Sequence, residues 1–271
     1  MPAGATDCHV HVYGPDARYP VAATRAFDVP QALPQTLSGV LDVLGVQRVV
    51  VVQPSGYGLD NTRHLDAMDE LGRPARMIAA LRADVSDQTL REMHARGVRG
   101  VRYTIGHRGA APLDEMPELA KRIARHGWHV QLHVMNDGGG SPLLDMQSVL
   151  HELATDVVID HVGSIRPEQG CAHPGFQALL RLLNAGRCWV KLSGGYRVSS
   201  APPYEDMVPL VSQLLAERPD RLLWGSDWPH VAFKGLMPNT ADLLDMLQTW
   251  VPDQDQRHAI LVSNPARLYG F

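Results

Sequence analysis

The chain has 271 residues, 45% hydrophobic and 20% charged, which is globular usage and excludes a disordered chain. With 25 Lys and Arg against 29 Asp and Glu the net charge is −4, so nucleic acid or an anionic membrane surface is not an expected partner. Three cysteines, Cys8, Cys171 and Cys188, cannot all pair, which speaks against a disulfide-framed secreted domain.

Residues 1–7 lack the charged and apolar parts of a signal peptide, and the longest apolar run, 49–52, is too short to span a bilayer, so a cytoplasmic enzyme is expected. Eight strand-like runs follow in chain order, at 6–13, 48–53, 77–84, 98–104, 129–134, 157–163, 188–193 and 221–227. The second, Arg48-Val-Val-Val-Val-Gln53, is continuously apolar, as a strand buried on both faces should be. Helix-like stretches lie between them at 33–44, 86–96, 116–126, 176–185 and 204–217, with 240–250 after the last strand. Gly45, Gly97, Gly127, Gly186 and Pro219 stand where these helices stop. Eight alternations in this length predict one (β/α)8 barrel, of TIM-barrel type, over residues 1–271. A doubly wound open sheet is the alternative, but no glycine-rich phosphate-binding turn follows the first strand.

A barrel places its chemistry at the C-terminal ends of the strands. His9 and His11 fall at the end of the first, two residues apart and therefore on one face. Cys8, between them, is expected on the opposite face as a small packed residue. Arg102 ends the fourth strand, His133 the fifth, His161 the sixth and Asp227 the eighth, while Arg108 lies in the loop after the fourth. A single strand histidine is more often structural than functional, and Asp227 before Trp228-Pro229 could simply cap a turn. Four histidines and an aspartate at one mouth, however, are not required by core packing. Such a set suits metal-assisted hydrolysis, in which imidazoles and a carboxylate hold zinc or a similar ion and activate water. His11 then serves as a ligand or, like His161, as a polariser of the scissile carbonyl.

The segments Asp7-Cys-His-Val-His11, Asp160-His-Val-Gly163 and Trp224-Gly-Ser-Asp-Trp-Pro-His230, with His11-Val-Tyr-Gly-Pro15 and Asn264-Pro-Ala-Arg-Leu-Tyr269, resemble the amidohydrolase superfamily. The resemblance is to its amidohydrolase-2 branch of 2-pyrone-4,6-dicarboxylate hydrolases and related lactonases, and it runs nearly end to end. It implies a (β/α)8 barrel that hydrolyses a carboxylated lactone, with Asp227 as the base that activates water and His9, His11 and His161 beside it. It also implies that Arg102, Arg108 and Arg197 hold substrate carboxylates, a role that suits guanidinium forks. A solvated loop position is the plain alternative for Arg108 and Arg197. Dicarboxylate hydrolases of this branch work without a metal and carry tyrosine where this chain has His133. Metal-dependent members use a histidine there. The expectation is therefore one divalent ion, zinc first, on His9, His11, His133 and Asp227, with a metal-free mechanism as the other possibility.

The expected substrate is a small anionic carboxylate or lactone. A metal-dependent decarboxylase or hydratase, or a sugar-acid lactone isomerase, is the alternative on the same scaffold, because fold does not fix reaction. A binding protein without catalysis ranks last, since the mouth retains its whole residue set. Ser55, Tyr57 and Asn61 fall on the pocket side of the loop after the second strand, and Tyr57 is a candidate substrate contact. Trp224 and Trp228 are expected to pack, with Trp228 or His230 near substrate. His64, His94, His126 and His258 are expected on solvated helix faces.

Overall fold

The β-branched runs pair in chain order into one parallel sheet: β1 (Thr6–Val10), β2 (Arg48–Val52), β3 (Ala75–Ala79), β4 (Val98–Ile105), β5 (His129–Val134), β6 (Val157–Ile159), β7 (Cys188–Leu192) and β8 (Leu222–Trp224). These elements come from a computed structural model, which describes all residues except 24, 26, 106–110, 136–139 and 200. The sheet closes on itself just past β8, where Val10 bridges Trp228. Two backbone bonds make that seam: Asp227 N–H donates to the His9 carbonyl at 2.9 Å, and His11 N–H to the Trp228 carbonyl at 2.8 Å.

Each strand is followed by a helix: α1 (Pro34–Leu44), α2 (Thr62–Glu70), α3 (Asp87–Ala95), α4 (Met116–Ile123), α5 (Pro142–Glu152), α6 (Pro174–Asn184), α7 (Val208–Glu217) and α8 (Thr240–Trp250). Ser86 caps α3 as expected, its side chain accepting from Thr89 N–H. No helix among the described residues is long and apolar enough to cross a membrane.

Strand alternation sorts the residues into two layers. Val49, Val51, Met77, Val101, Val130 and Leu132 belong to the large cluster between sheet and helices. Cys8, Val50, Val52, Ile78, Val158, Trp189 and Leu223 form a second cluster with Tyr269, inside the barrel. Tyr269 comes from the final helix, Asn264–Tyr269, and fills the barrel at its N-terminal end, its ring 5.4 Å from that of His129 at the start of β5.

Cys8 does not take the face opposite the histidines. The β1–β2 register shifts between Asp7 and Val10, so one extra residue is accommodated in β1. Cys8 can then join the barrel interior while His9, the next residue, also reaches the polar groups inside it. The packed-residue reading of Cys8 holds; the strict two-residue alternation behind its facing does not.

Strands six and eight are shorter than their apolar runs suggest. After β6 the chain turns at His161 and Val162, both with φ of 52°, and after β8 it turns at Asp227 with φ of 63°. These are left-handed conformations that cost energy for residues with side chains, and they cluster at functional sites.

His129 illustrates the barrel's low polarity near its floor. It is buried, and neither ring nitrogen has a hydrogen-bond partner among the described residues. Burial, with Lys191 nearby, pushes its pKa down to about 3 from the usual 6.5. The folded value lies below the unfolded one, so His129 contributes stability that is complete above pH 6.5 and is lost as pH falls toward 3. Unfolding free energy is therefore expected to drop more steeply between roughly pH 6 and 5 in the wild type than in His129→Gln. The difference should approach ~1.4 kcal/mol per pH unit, read by urea unfolding at each pH. Equal slopes would show that His129 titrates normally in the fold.

Candidate active site

The seam between β1 and β8 carries the centre of the mouth. Asp7 accepts backbone N–H groups from both His9 and Ser226, each at 3.0 Å, on one carboxylate oxygen. Gly225 is needed there, because a Cβ would lie 2.7 Å from the Cβ of His9. The two elements are thereby drawn close enough for their side chains to meet.

His9 Nε2 and His11 Nε2 lie 3.3 Å apart, and Asp227 Oδ1 stands 3.7 Å from the first and 3.8 Å from the second. The other oxygen of Asp227 accepts from Tyr196 Oη at 2.7 Å and from Arg197 Nε at 2.6 Å. His161 Nε2 is 3.8 Å from that same oxygen, and its Nδ1 meets Ser193 Oγ at 2.9 Å. Gly194 makes room for this ring, since a Cβ there would sit 2.6 Å from His161 Nδ1. His11 Nδ1 lies 2.7 Å from the Val52 carbonyl. A carbonyl only accepts, so His11 carries its proton on Nδ1 and presents a lone pair at Nε2.

Electrostatics follow from burial. The His11 ring is pushed down to about 3 by desolvation and by Arg102. His9 and His161 are lowered as well, burial being the largest cause for each. The rings are therefore neutral near pH 7, the form that binds metals or accepts protons. Burial opposes the charge on Asp227, but its neighbours, the Arg197 guanidinium first among them, outweigh it and hold the carboxyl well below its usual range.

The residues present fit a metal ion. Among the described residues, His9, His11 and Asp227 form one potential ligand group and His9, Asp160 and His161 another. A tetrahedral zinc with bonds of ~2.0–2.1 Å has ligand atoms roughly 3.3–3.5 Å apart, close to the 3.3–3.8 Å spacings of His9, His11 and Asp227. His133 belongs to neither group; its half-buried ring packs edge-on to His161 at 5.3 Å between centroids. The structure thus brings three of the four expected ligands together and leaves His133 apart from them.

The arginines differ in place and occupation. Arg102, on β4, donates from Nη1 to the Gln53 carbonyl at 3.2 Å and approaches Asp160 with Nη2 at 3.5 Å, while its buried Nε has no partner among the described residues. Arg197 is no solvated loop residue: besides Asp227 it holds the Val231 carbonyl at 3.1 Å. Arg108 lies outside the described residues. Tyr57 is buried and accepts the Gly14 N–H at 2.8 Å, its ring stacked 5.8 Å from Tyr13, so it braces the loop after β1. Asn61 does similar work, exchanging two 2.9 Å bonds with the backbone of Ala80. His230 bonds Tyr196 Oη at 3.2 Å and so stands behind the group that holds Asp227.

His64 is not on a solvated face. It is fully buried, accepts the Val12 N–H at 3.3 Å and meets the Tyr57 ring edge-on. His94 and His126 are half-buried over Trp128, whose indole N–H donates to His94 at 3.0 Å; His258 is exposed, as expected.

Sequence reasoning missed the layer beneath the histidines, made of Asp160, Lys191 and Gln131, and the Tyr196 contact. The signal was available in β5, where His129, Gln131 and His133 alternate with Val130, Leu132 and Val134, and in β7, where Lys191 interrupts an apolar strand. Beside the mouth a recess of about 790 Å³ opens between the loops after β7 and β8, bordered by Arg197, Tyr204, Phe233, Leu243 and Met246.

A parallel eight-stranded barrel with histidines and an aspartate gathered at its C-terminal mouth defines the class of barrel hydrolases. Within that class, the chain belongs to the amidohydrolase family, whose family model (Amidohydro_2) matches residues 6–271. It is 36% identical over 281 residues to a 2-pyrone-4,6-dicarboxylate hydrolase of Comamonas testosteroni, covering 99% of this chain and 91% of that protein. It is 34% identical over 276 residues to a 4-sulfomuconolactone hydrolase of Hydrogenophaga intermedia, covering 100% and 90%. A solved apo structure from Agrobacterium tumefaciens superposes with a TM-score of 0.88 at 29% identity, covering 100% of this chain and 97% of the other.

Proposed function

We propose that this protein hydrolyses a small carboxylated lactone, such as those formed in the breakdown of aromatic compounds, with Asp227 as the base. The observation that carries the reading is the division of Asp227: one oxygen is clamped by Tyr196 and Arg197, and the other faces His9 and His11. A fixed, ionised carboxylate with one oxygen directed into the mouth can take a proton from an attacking water. Likeness to lactone hydrolases over the whole chain supports a lactone as the acceptor.

The water oxygen adds to the lactone carbonyl carbon and its proton passes to Asp227 Oδ1. The ring C–O bond then breaks, and the released oxygen takes up that proton. Lactone plus water becomes one ring-opened hydroxy acid. His161, steadied by Ser193, stands beside Asp227, where it can hydrogen-bond the carbonyl or relay the proton. Arg102, a tenth of whose side chain is exposed, would pair with a substrate carboxylate, a charge-assisted contact. Arg197 is already committed to Asp227 and Val231, and we read it as the residue that holds the base in place. His9, His11 and Asp227 would hold a divalent ion, zinc first, which when bound supplies Lewis-acid polarisation and makes water more acidic.

Asp227→Asn is expected to lower kcat/KM for the substrate lactone by roughly 10²–10⁴-fold with unchanged circular dichroism; full turnover in that variant would refute the assignment. Product analysis by NMR should show a ring-opened acid heavier by one water, whereas an isomerase would conserve composition. Arg102→Met should raise KM for polyanionic lactones by about 10- to 100-fold, the loss of one charge-assisted contact, and an unchanged KM would remove Arg102 from the substrate site. Plasma emission on protein purified without chelator should find about one zinc-type ion per chain, held through tetrahedral ligands, and far less in His11→Ala.

A further inference from the structure

Asp227 is tied to the outer helices by a line of three side chains whose donors follow from their chemistry. Tyr196 sits in the single turn after β7, Gly195–Arg197, and its Oη lies 2.7 Å from Asp227 Oδ2. His230 Nδ1 lies 3.2 Å from the same hydroxyl, and the two rings pack edge-on at 5.2 Å. His230 Nε2 lies 3.1 Å from Oγ1 of Thr240, the first residue of α8. Tyr196 and His230 are both buried. The backbone adds a fourth tie: His230 N–H donates to the Asp227 carbonyl at 2.8 Å and closes the turn that carries both residues.

Two oxygens 2.7 Å apart need a proton between them. Asp227 is ionised and can only accept, while burial keeps the Tyr196 phenol protonated, so the phenol donates to the carboxylate. With its proton so used, the phenol oxygen can only accept from His230, which places a proton on Nδ1. Burial pushes the pKa of His230 down to about 4, so the ring is neutral near pH 7 and has a single proton to place. Nε2 therefore keeps a lone pair, and Thr240 must donate its hydroxyl to it. Every donor in the line points the same way, from α8 toward Oδ2 of Asp227.

We propose that Thr240, His230 and Tyr196 are positioning residues, a one-way hydrogen-bond relay that saturates Asp227 Oδ2 and so leaves Oδ1 as the oxygen facing His9 and His11. Hydrogen bonds in such a chain polarise one another, which strengthens the last of them, the bond to the carboxylate. The line crosses three units of the barrel: the turn after β7 supplies Tyr196, the turn after β8 supplies His230, and α8 supplies Thr240. The loop 231–239 is thereby held at both ends. His230 commits both ring nitrogens to this line, so it supports the base rather than contacting substrate. The effect on rate rests on the reading of Asp227 as the base; the order of the hydrogen bonds does not.

Long-range proton–nitrogen correlation spectra of ¹⁵N-histidine-labelled protein, as purified, read that order directly, with His230 assigned by the peaks absent from His230→Asn. The expected result is a protonated Nδ1 and an unprotonated, hydrogen-bonded Nε2. A proton on Nε2 in the wild type would overturn the proposal whatever the turnover. In Tyr196→Phe the Nδ1 proton loses its acceptor, and the ring should change to the Nε2–H form, donating to Thr240; an unchanged tautomer would show that Tyr196 does not set it. In Thr240→Val the Nε2 signal should move toward that of a free imidazole nitrogen, and no movement would remove Thr240 from the line. Should Tyr196→Phe not fold, the wild-type and Thr240→Val spectra decide. With lactone, kcat in Tyr196→Phe and His230→Gln should fall roughly 10- to 100-fold with KM changed little. His230→Asn places an amide N–H where Nδ1–H stood and tolerates the left-handed φ of 63° at this position, whereas the amide of His230→Gln reaches only the place of Nε2. His230→Asn should therefore keep about ten times the kcat of His230→Gln, and equal rates would refute the step from His230 to Tyr196. The expected tautomer in a protein that turns over no lactone would refute the proposed reaction and leave this order of hydrogen bonds standing.

Discussion

Closure of the barrel between its first and last strands is the constraint on which the site depends. Two backbone bonds, from Asp227 to His9 and from His11 to Trp228, join the same residues whose side chains form the mouth. Asp7 reinforces the seam by accepting from His9 and Ser226. Burial raises its carboxyl to about 6, against the lowering effect of those Ser226 and His9 bonds, so Asp7 is held at a cost in desolvation. In an open sheet His9 and Asp227 would sit at opposite edges; here the final pairing of the fold brings them together.

The bulge in β1 follows from the same closure. A regular strand would turn alternate residues outward, and Cys8 and His9 could not both serve the interior. The register shift lets Cys8 fill the apolar cluster above Tyr269 while His9 enters the polar layer above it. Polarity inside the barrel therefore rises from floor to mouth: an apolar plug, then Lys191, Gln131 and Asp160, then the histidines and Asp227.

The two inner carboxylates illustrate how position divides labour. Asp160 and Asp227 are both buried, and both are held below the usual carboxylate range despite the desolvation that opposes their charge. His9 and Lys191 do this for Asp160, while Arg197 heads the groups that do it for Asp227. Asp160 lies beneath the mouth with the side chains of His9, Lys191, Arg102 and Gln131 all within 3.5 Å of its carboxylate. Asp227 keeps one oxygen toward the mouth because its clamps, Tyr196 and Arg197, both take the other. Two equal side chains are thus placed differently, one enclosed beneath the mouth and the other with an oxygen facing His9 and His11. The left-handed turns at His161 and Asp227 are consistent with this, since each spends backbone energy to bring a side chain back over the strand ends.

Much of this was legible from residue order, because a parallel barrel announces itself through repeated apolar runs and helix stops. The placement of His9, His11, His161 and Asp227 at the mouth follows from strand-end position alone. What periodicity could not show was anything that depends on three-dimensional pairing. Arg197 reads as a substrate-carboxylate contact or a solvated loop arginine, because its partner, Asp227, is 30 residues away. Asp160 reads as one more residue of a buried strand because the lysine, glutamine and histidine around it come from three other strands. His64 reads as solvated because α2 has mixed polarity, yet the backbone it accepts from, Val12, is 52 residues distant. Tyr57 reads as a pocket residue because loops after barrel strands usually are, but its hydroxyl accepts from the backbone of a second loop. Each of these readings concerns a polar group whose partner lies on another unit of the barrel, distant along the chain. Hydrophobic burial depends on pattern and can be read along the chain, whereas satisfaction of buried hydrogen-bonding groups depends on which strands become neighbours. The chemistry of the mouth lies in the second kind of information, and the seam between β1 and β8 is where it is written.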